Sequence, residues 1–137
     1  MKYLIDLGKK AKESAVILNT LGQDKKNEGL TKVAEAIIKN EDKIIEANKI
    51  DIQNGRNNGM TEALIDRLSL DHERIQGMSK GLLDIVELKD PIGEVMSMQE
   101  RPNGLMIGQK RVPIGVIGII YESRPNVTSD AAGLCIK

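Results

Sequence analysis

The sequence predicts an α/β chain: helices first, then a β-hairpin, then the first βα unit of a doubly wound parallel sheet. Three observations predict it. Apolar residues recur at helical spacing from the start of the chain to about residue 88. From Gly93 the pattern changes to two short strands flanking Arg101-Pro102-Asn103-Gly104, a strong turn signal. Ile114 to Tyr121 is then an almost unbroken apolar run, rich in β-branched residues and interrupted only by Gly115 and Gly118. A strand with one wet face alternates, so this run reads as a strand covered on both faces, as in a parallel sheet under helices.

Each element has its own warrant. Leu4, Leu7, Ala11, Leu18 and Leu21 share one helical stripe, which predicts a helix from Lys2 to Leu21 ended by Gly22. Leu30, Val33, Ala34, Ile37 and Ile38 give a second helix at i, i+3, i+4, i+7, i+8 spacing. A third carries Ile44, Ile45 and Ile52 and frays into a loop over Asn54–Gly59. Thr61 can cap a short helix bearing Leu64, Ile65 and Leu68. Asp71 can cap a longer one whose Ile75, Met78, Leu82, Leu83 and Val86 face one way. Asp90-Pro91 stops it, because the residue before proline avoids the helical region. The hairpin strands are expected at Glu94–Glu100 and Leu105–Val112. After the buried strand a polar bend, Glu122 to Asn126, leads to a helix starting near Ser129, with Thr128, Ser129 and Asp130 as candidate caps. The predicted divisions are therefore 1–92 helical, 93–112 hairpin and 113–137 the βα unit.

Composition excludes several function classes. Twenty basic residues balance twenty acidic ones, so no net positive charge is available to neutralise a nucleic-acid backbone. Two tyrosines, with no Phe or Trp, leave no stacking platform for single strands. One cysteine permits no internal disulfide and fits a reducing compartment. The start of the chain lacks the apolar core of a signal peptide, and no apolar run reaches the ~20 residues that a bilayer span needs. A cytoplasmic protein is the expectation. The last helix is still apolar at Cys135-Ile136-Lys137, and a lone parallel strand needs parallel neighbours. The chain is therefore expected to be the front part of a longer polypeptide.

Among single residues, Cys135 lies in an apolar stretch without a nearby His, and is expected to pack as a small hydrophobe. His72, alone between Asp71 and Glu73, is expected at the surface with no metal to bind. Met96, Met98 and Met106 are expected to pack against neighbours of the hairpin. Gly115 and Gly118 can admit either a close ligand or a packed helix, and inside a strand packing is the expectation. Arg124, just past the strand and beside a helix N-terminus, can bind an anion bidentately or pair with Glu122 or Asp130.

The run Arg101-Pro102-Asn103-Gly104-Leu105, followed by Arg111-Val112-Pro113-Ile114-Gly115-Val116-Ile117-Gly118-Ile119-Ile120-Tyr121-Glu122-Ser123-Arg124-Pro125-Asn126-Val127-Thr128, resembles the γ-glutamyl phosphate reductases of the aldehyde dehydrogenase superfamily. Ala47-Asn48-Lys49-Ile50-Asp51, Ile65-Asp66-Arg67-Leu68 and Asp90-Pro91-Ile92-Gly93 match in kind and order. The likeness covers this whole chain but only the N-terminal portion of the family's length. It implies an aldehyde-dehydrogenase-like fold and NADPH-dependent reduction of γ-glutamyl phosphate to glutamate semialdehyde and phosphate, in proline biosynthesis. It implies that a cysteine thiolate expels phosphate and that the resulting thioester accepts a hydride. The family's cysteine lies downstream of these residues, so this chain alone is expected to be inactive and to bind NADPH no tighter than about 1 mM. The resemblance places Glu122, Ser123, Arg124 and Asn126 along the cofactor, and Arg124 and Asn126 at the substrate, Asn126 either as an oxyanion donor or as a turn residue. It further implies a homo-oligomer at full length, joined through hairpins of this kind. The competing expectation is a non-catalytic piece serving folding or assembly.

Overall fold

The structure, a computed structural model, describes residues 2–137. The elements in chain order are α1 (Lys2–Leu18), α2 (Gln23–Lys39), α3 (Glu41–Asn57), α4 (Glu62–Leu68), α5 (His72–Glu87), β1 (Val95–Glu100), β2 (Met106–Lys110) and α6 (Asn126–Ile136). They fall into two units. One joins the segment ending at Leu21 to Lys89–Ile117; the other joins Gly22–Leu88 to Gly118–Lys137.

In the first unit α1 ends at Leu18 instead of Leu21, and none of its described residues is buried. Gly22 does not terminate it: at φ −74°, ψ 165° it is extended and stands at the N-cap of α2. β1 and β2 pair antiparallel, with a bulge between Val95 and Ser97. Gly104 closes the turn at φ +81°, its N–H donating to the Arg101 carbonyl at 2.8 Å. A left-handed residue is needed there, and glycine supplies it without steric cost. Met98 lies across from Gly108, where an added Cβ would come within 2.8 Å of its sulfur. Met96, Met98 and Met106 are nevertheless exposed, so the packing expected for them is not made among the described residues. Lys89 and Arg111 flank Glu94; the hydrogen bond from Lys89 above all holds its carboxyl below the usual range.

The second unit contains the core. Leu30 and Ala34 of α2 meet Leu82 and Ile85 of α5, with Ile37, Val86 and Ile136 packed against them. Val33, Ile38 and Leu83, predicted on the same stripes, are exposed. α6 enters this core through Gly133, whose missing side chain lets Leu82 and Ile85 approach its backbone. Ser79, buried on α5, donates to the Ala34 carbonyl at 3.1 Å and ties α5 to α2.

α3 runs on to Asn57, into the Asn54–Gly59 stretch predicted to be a loop, and only Asn58 and Gly59 form the turn. Gly55 explains why: it is buried on the helix face where Met60, Ile65 and Leu68 pack, so the glycine is a packing choice. Gly59 stands at φ +76°, with the Met60 N–H returning to the Gly55 carbonyl at 3.0 Å. Thr61 occupies the N-cap of α4 without using its hydroxyl. Asp71 caps α5 as predicted, accepting from the Arg74 N–H at 2.8 Å. Asp71→Ala is therefore expected to cost about 1 kcal/mol, measured by urea denaturation followed by far-ultraviolet circular dichroism.

The largest departure lies at Ile114–Tyr121. The parallel strand is not formed: these residues pair with nothing, and the only sheet among the described residues is the hairpin. Ile114 and Ile120 are 90% and 102% exposed. A strand is defined by its ladder, and no neighbouring strand is present to complete one. The βα unit of a doubly wound sheet is correspondingly absent, and the observed fold is helix-rich with one hairpin. Gly115 and Gly118 have open space around them and are not packing positions here.

Candidate functional site

The second unit encloses a cleft of about 440 Å³ where the α4–α5 junction faces the start of α6. One wall is the α4–α5 junction, which is held from α3 by Asn48, 4% exposed. Asn48 Nδ2 donates to the Leu68 carbonyl at 2.8 Å, while its Oδ1 accepts from the Leu70 N–H at 2.7 Å. The Leu68 carbonyl is at the C-terminal end of α4 and the Leu70 N–H lies between α4 and α5, so this one amide fixes the bend between the two helices. Arg74 tightens the same bend. Its guanidinium donates to the Asp66 and Ser69 carbonyls and forms an ion pair with Asp66 Oδ1 at 2.8 Å.

The opposite wall is the polar bend. Ser123 adopts φ +50°, the only positive φ outside glycine among the described residues. Such a conformation costs a non-glycine residue on the order of 1 kcal/mol, and it redirects the chain so that Arg124 and Pro125 line the cleft. α6 starts at Asn126, three residues earlier than predicted, because Pro125 is already helical at φ −63°, ψ −31°. Thr128, Ser129 and Asp130 are thus interior to α6 and cap nothing. The Ser129 hydroxyl donates back to the Asn126 carbonyl, and the Thr128 hydroxyl meets that of Tyr121. Asn126 Nδ2 donates to Asp130 Oδ2 at 3.0 Å.

Of the four residues singled out from sequence, Arg124 and Asn126 line the cleft; Glu122 and Ser123 do not. Arg124 forms no ion pair among the described residues, with Glu122, with Asp130 or otherwise. The α6 N-terminus contributes its dipole, but the Val127 and Thr128 N–H groups already reach the Arg124 and Pro125 carbonyls. The free donors are side chains. Reasoning from sequence missed Asp66, Arg67 and Arg74 as site residues; the clustering of Asp66 and Arg67 beside a helix end was the available signal.

Cys135 is exposed, contrary to expectation. The buried face of α6 is that of Ser129 and Gly133, and Cys135 falls off it with Leu134. It also sits nine residues beyond Asn126, about 13 Å along the helix. His72 is largely exposed as expected, but its Nδ1 lies 2.9 Å from Glu41 Oε1. That oxygen is buried and gains a hydrogen bond only when Nδ1 carries a proton. No cluster of His, Cys, Asp and Glu able to hold a metal occurs among the described residues. Among the described residues no helix is long and apolar enough to cross a membrane.

No protein-family model matches the chain. Among curated proteins, it is 54% identical over 136 residues to a γ-glutamyl phosphate reductase of Clostridium tetani, covering 99% of this chain and 32% of that protein. It is 55% identical over 137 residues to that of Clostridium beijerinckii, covering 100% of this chain and 33% of that one. Of solved structures, a γ-glutamyl phosphate reductase from Thermotoga maritima superposes with a TM-score of 0.94 at 43% identity, covering 97% of this chain and 32% of the other. One from Saccharomyces cerevisiae does so with 0.90 at 34% identity, covering 96% and 33%. The chain spans about a third of the length of the curated relatives it matches. By sequence, then, the chain is similar to the N-terminal portion of the γ-glutamyl phosphate reductases.

Proposed function

We propose that this chain contributes the Arg124–Asn126 wall of the site in which a full-length reductase converts γ-glutamyl phosphate and NADPH to glutamate semialdehyde, phosphate and NADP+. One observation carries the reading: an unpaired guanidinium, Arg124, lines a cleft beside a helix N-terminus in the stretch that resembles the family most specifically. The acyl phosphate is a dianion, and a free arginine is suited to hold it by two parallel hydrogen bonds. Asn126 stands two residues on with a side-chain amide that can donate to a developing oxyanion, once released from Asp130. NADPH, when bound, supplies the hydride. Glu122 and Ser123, exposed and half-buried on the approach to Arg124, remain the proposed cofactor contacts. Cys135, exposed and at the far end of α6 from the cleft, does not reach a substrate bound there. On this reading the reactive thiolate comes from elsewhere in the protein.

The test is a reverse assay of the full-length enzyme: NADP+ reduction with glutamate semialdehyde and phosphate as co-substrates. Arg124→Ala is expected to raise the KM for phosphate by about 10- to 100-fold, the loss of a charged hydrogen bond of about 1.5–3 kcal/mol. Unchanged phosphate saturation would remove Arg124 from the site.

A second reading, an assembly module, draws on the first unit, where α1, β1 and β2 bury no residue. The hairpin is then a subunit contact of a homo-oligomer. Sedimentation of the full-length enzyme with hairpin charges introduced at Met96 and Met106 separates the two: dissociation without loss of fold supports it.

A further inference from the structure

The proposed substrate has two anionic ends, and the cleft holds two guanidinium groups without partners. Three arginines and two aspartates line it. Arg74 is consumed by Asp66 and two carbonyls. Arg67, at the end of α4, and Arg124, before α6, form no ion pair among the described residues. They come from opposite walls. Asp130 has one oxygen occupied by Asn126, and a carboxylate offers about four acceptor positions, so it retains capacity for a cation. Leu70, Met78 and Pro125 add apolar surface to the lining. A volume of about 440 Å³ falls within the ordinary range for small-ligand sites.

We propose that this cleft selects an α-amino acid by its zwitterionic end: Arg67 takes the α-carboxylate, Asp130 takes the α-ammonium, and Leu70 and Met78 cover the methylenes between that end and the phosphate. The assignment rests on the reading of Arg124 as the phosphate contact. A ligand with a carboxylate, an ammonium and a remote dianion matches Arg67, Asp130 and Arg124 in number and sign. Arg74, locked onto the bend, is a positioning residue that keeps the α4 end and Arg67 in place.

The experiment uses the full-length enzyme and two measurements. In the reverse assay, Arg67→Gln is expected to raise the KM for glutamate semialdehyde about tenfold or more, with the KM values for phosphate and NADP+ unchanged. Asp130→Asn is expected to narrow the preference for glutamate semialdehyde over glutarate semialdehyde, which lacks the amine. In calorimetric titration, Arg67→Gln is expected to weaken L-glutamate binding by a similar factor. An unchanged semialdehyde KM, or a rise of all three KM values together, overturns the assignment while leaving the reductase reading intact. If the wild-type enzyme has no NADP+-dependent activity yet binds L-glutamate through Arg67, the reductase reading fails and the amino-acid cleft stands. Loss of neither activity nor L-glutamate affinity in Arg67→Gln overturns the cleft outright.

Discussion

Leu82→Ala is expected to lose about 2–5 kcal/mol of folding stability, while Leu83→Ala, one residue along α5, loses less than about 0.5 kcal/mol. Leu82 is 1% exposed at the point where α2, α5 and α6 converge, whereas Leu83 is 43% exposed. Total stabilities of single domains run to about 5–15 kcal/mol, so the first substitution removes a large fraction and the second does not. Gly133 gives the complementary test. A Cβ there would stand 2.7 Å from Leu82 Cδ2 and 2.9 Å from Ile85 Cδ1. Gly133→Ala gains about 1 kcal/mol of helix propensity but overpacks the junction by about 1–3 kcal/mol, so the net change is destabilising. In the Leu82→Ala background one clash disappears, and the double variant is expected to be more stable than the sum of the singles. Urea denaturation followed by circular dichroism measures all four; with no tryptophan in the sequence, fluorescence offers little. Equal losses for Leu82→Ala and Leu83→Ala would show that the core has been misplaced.

Asn48→Ala is expected to cost about 2–4 kcal/mol, because it leaves the Leu68 carbonyl and the Leu70 N–H without partners. The effect is local in origin. The Leu70 amide, protected by a side chain and not by a helix, should exchange its hydrogen much faster in the variant, while amides around Leu82 change only as far as global stability falls. Since Leu70 and Ser69 also line the cleft, ligand affinity should drop with it. Retention of slow Leu70 exchange in Asn48→Ala would mean that the bend is held by something else.

What could be read from sequence divides along a physical line. α2 and α5 were legible because their stripes are periodic and their cores lie within reach of one another, although which stripe member is buried depends on the partner: Leu82 is buried, Leu83 is not, and the buried Ile85 lies outside the predicted stripe. The hairpin was legible because Arg101–Gly104 is a local turn. The Ile114–Tyr121 strand was not, since composition shows readiness for pairing and pairing needs neighbours that are distant in sequence. Asn54–Gly59 misled because a glycine pressed against Met60 and Ile65 is indistinguishable in sequence from a glycine that frees a loop. Arg124 was found from its place before a helix, and Asn126 from the resemblance of the stretch around it. Arg67 and Asp66 escaped, because charges at the end of a short helix look like ordinary solvated surface until the facing wall is known.

The exposed run from Ile114 to Tyr121 carries a consequence for handling the protein. Eight residues without a charge, with the β-branched Ile114, Val116, Ile117, Ile119 and Ile120 among them and backbone amides unclaimed, make a template on which identical chains can stack. Arg111 before it and Glu122 and Arg124 after it act as electrostatic fences. Precipitation on standing should therefore steepen with protein concentration and with salt, as those fences are screened, and a lysine at Ile119 should delay it without altering the helical core.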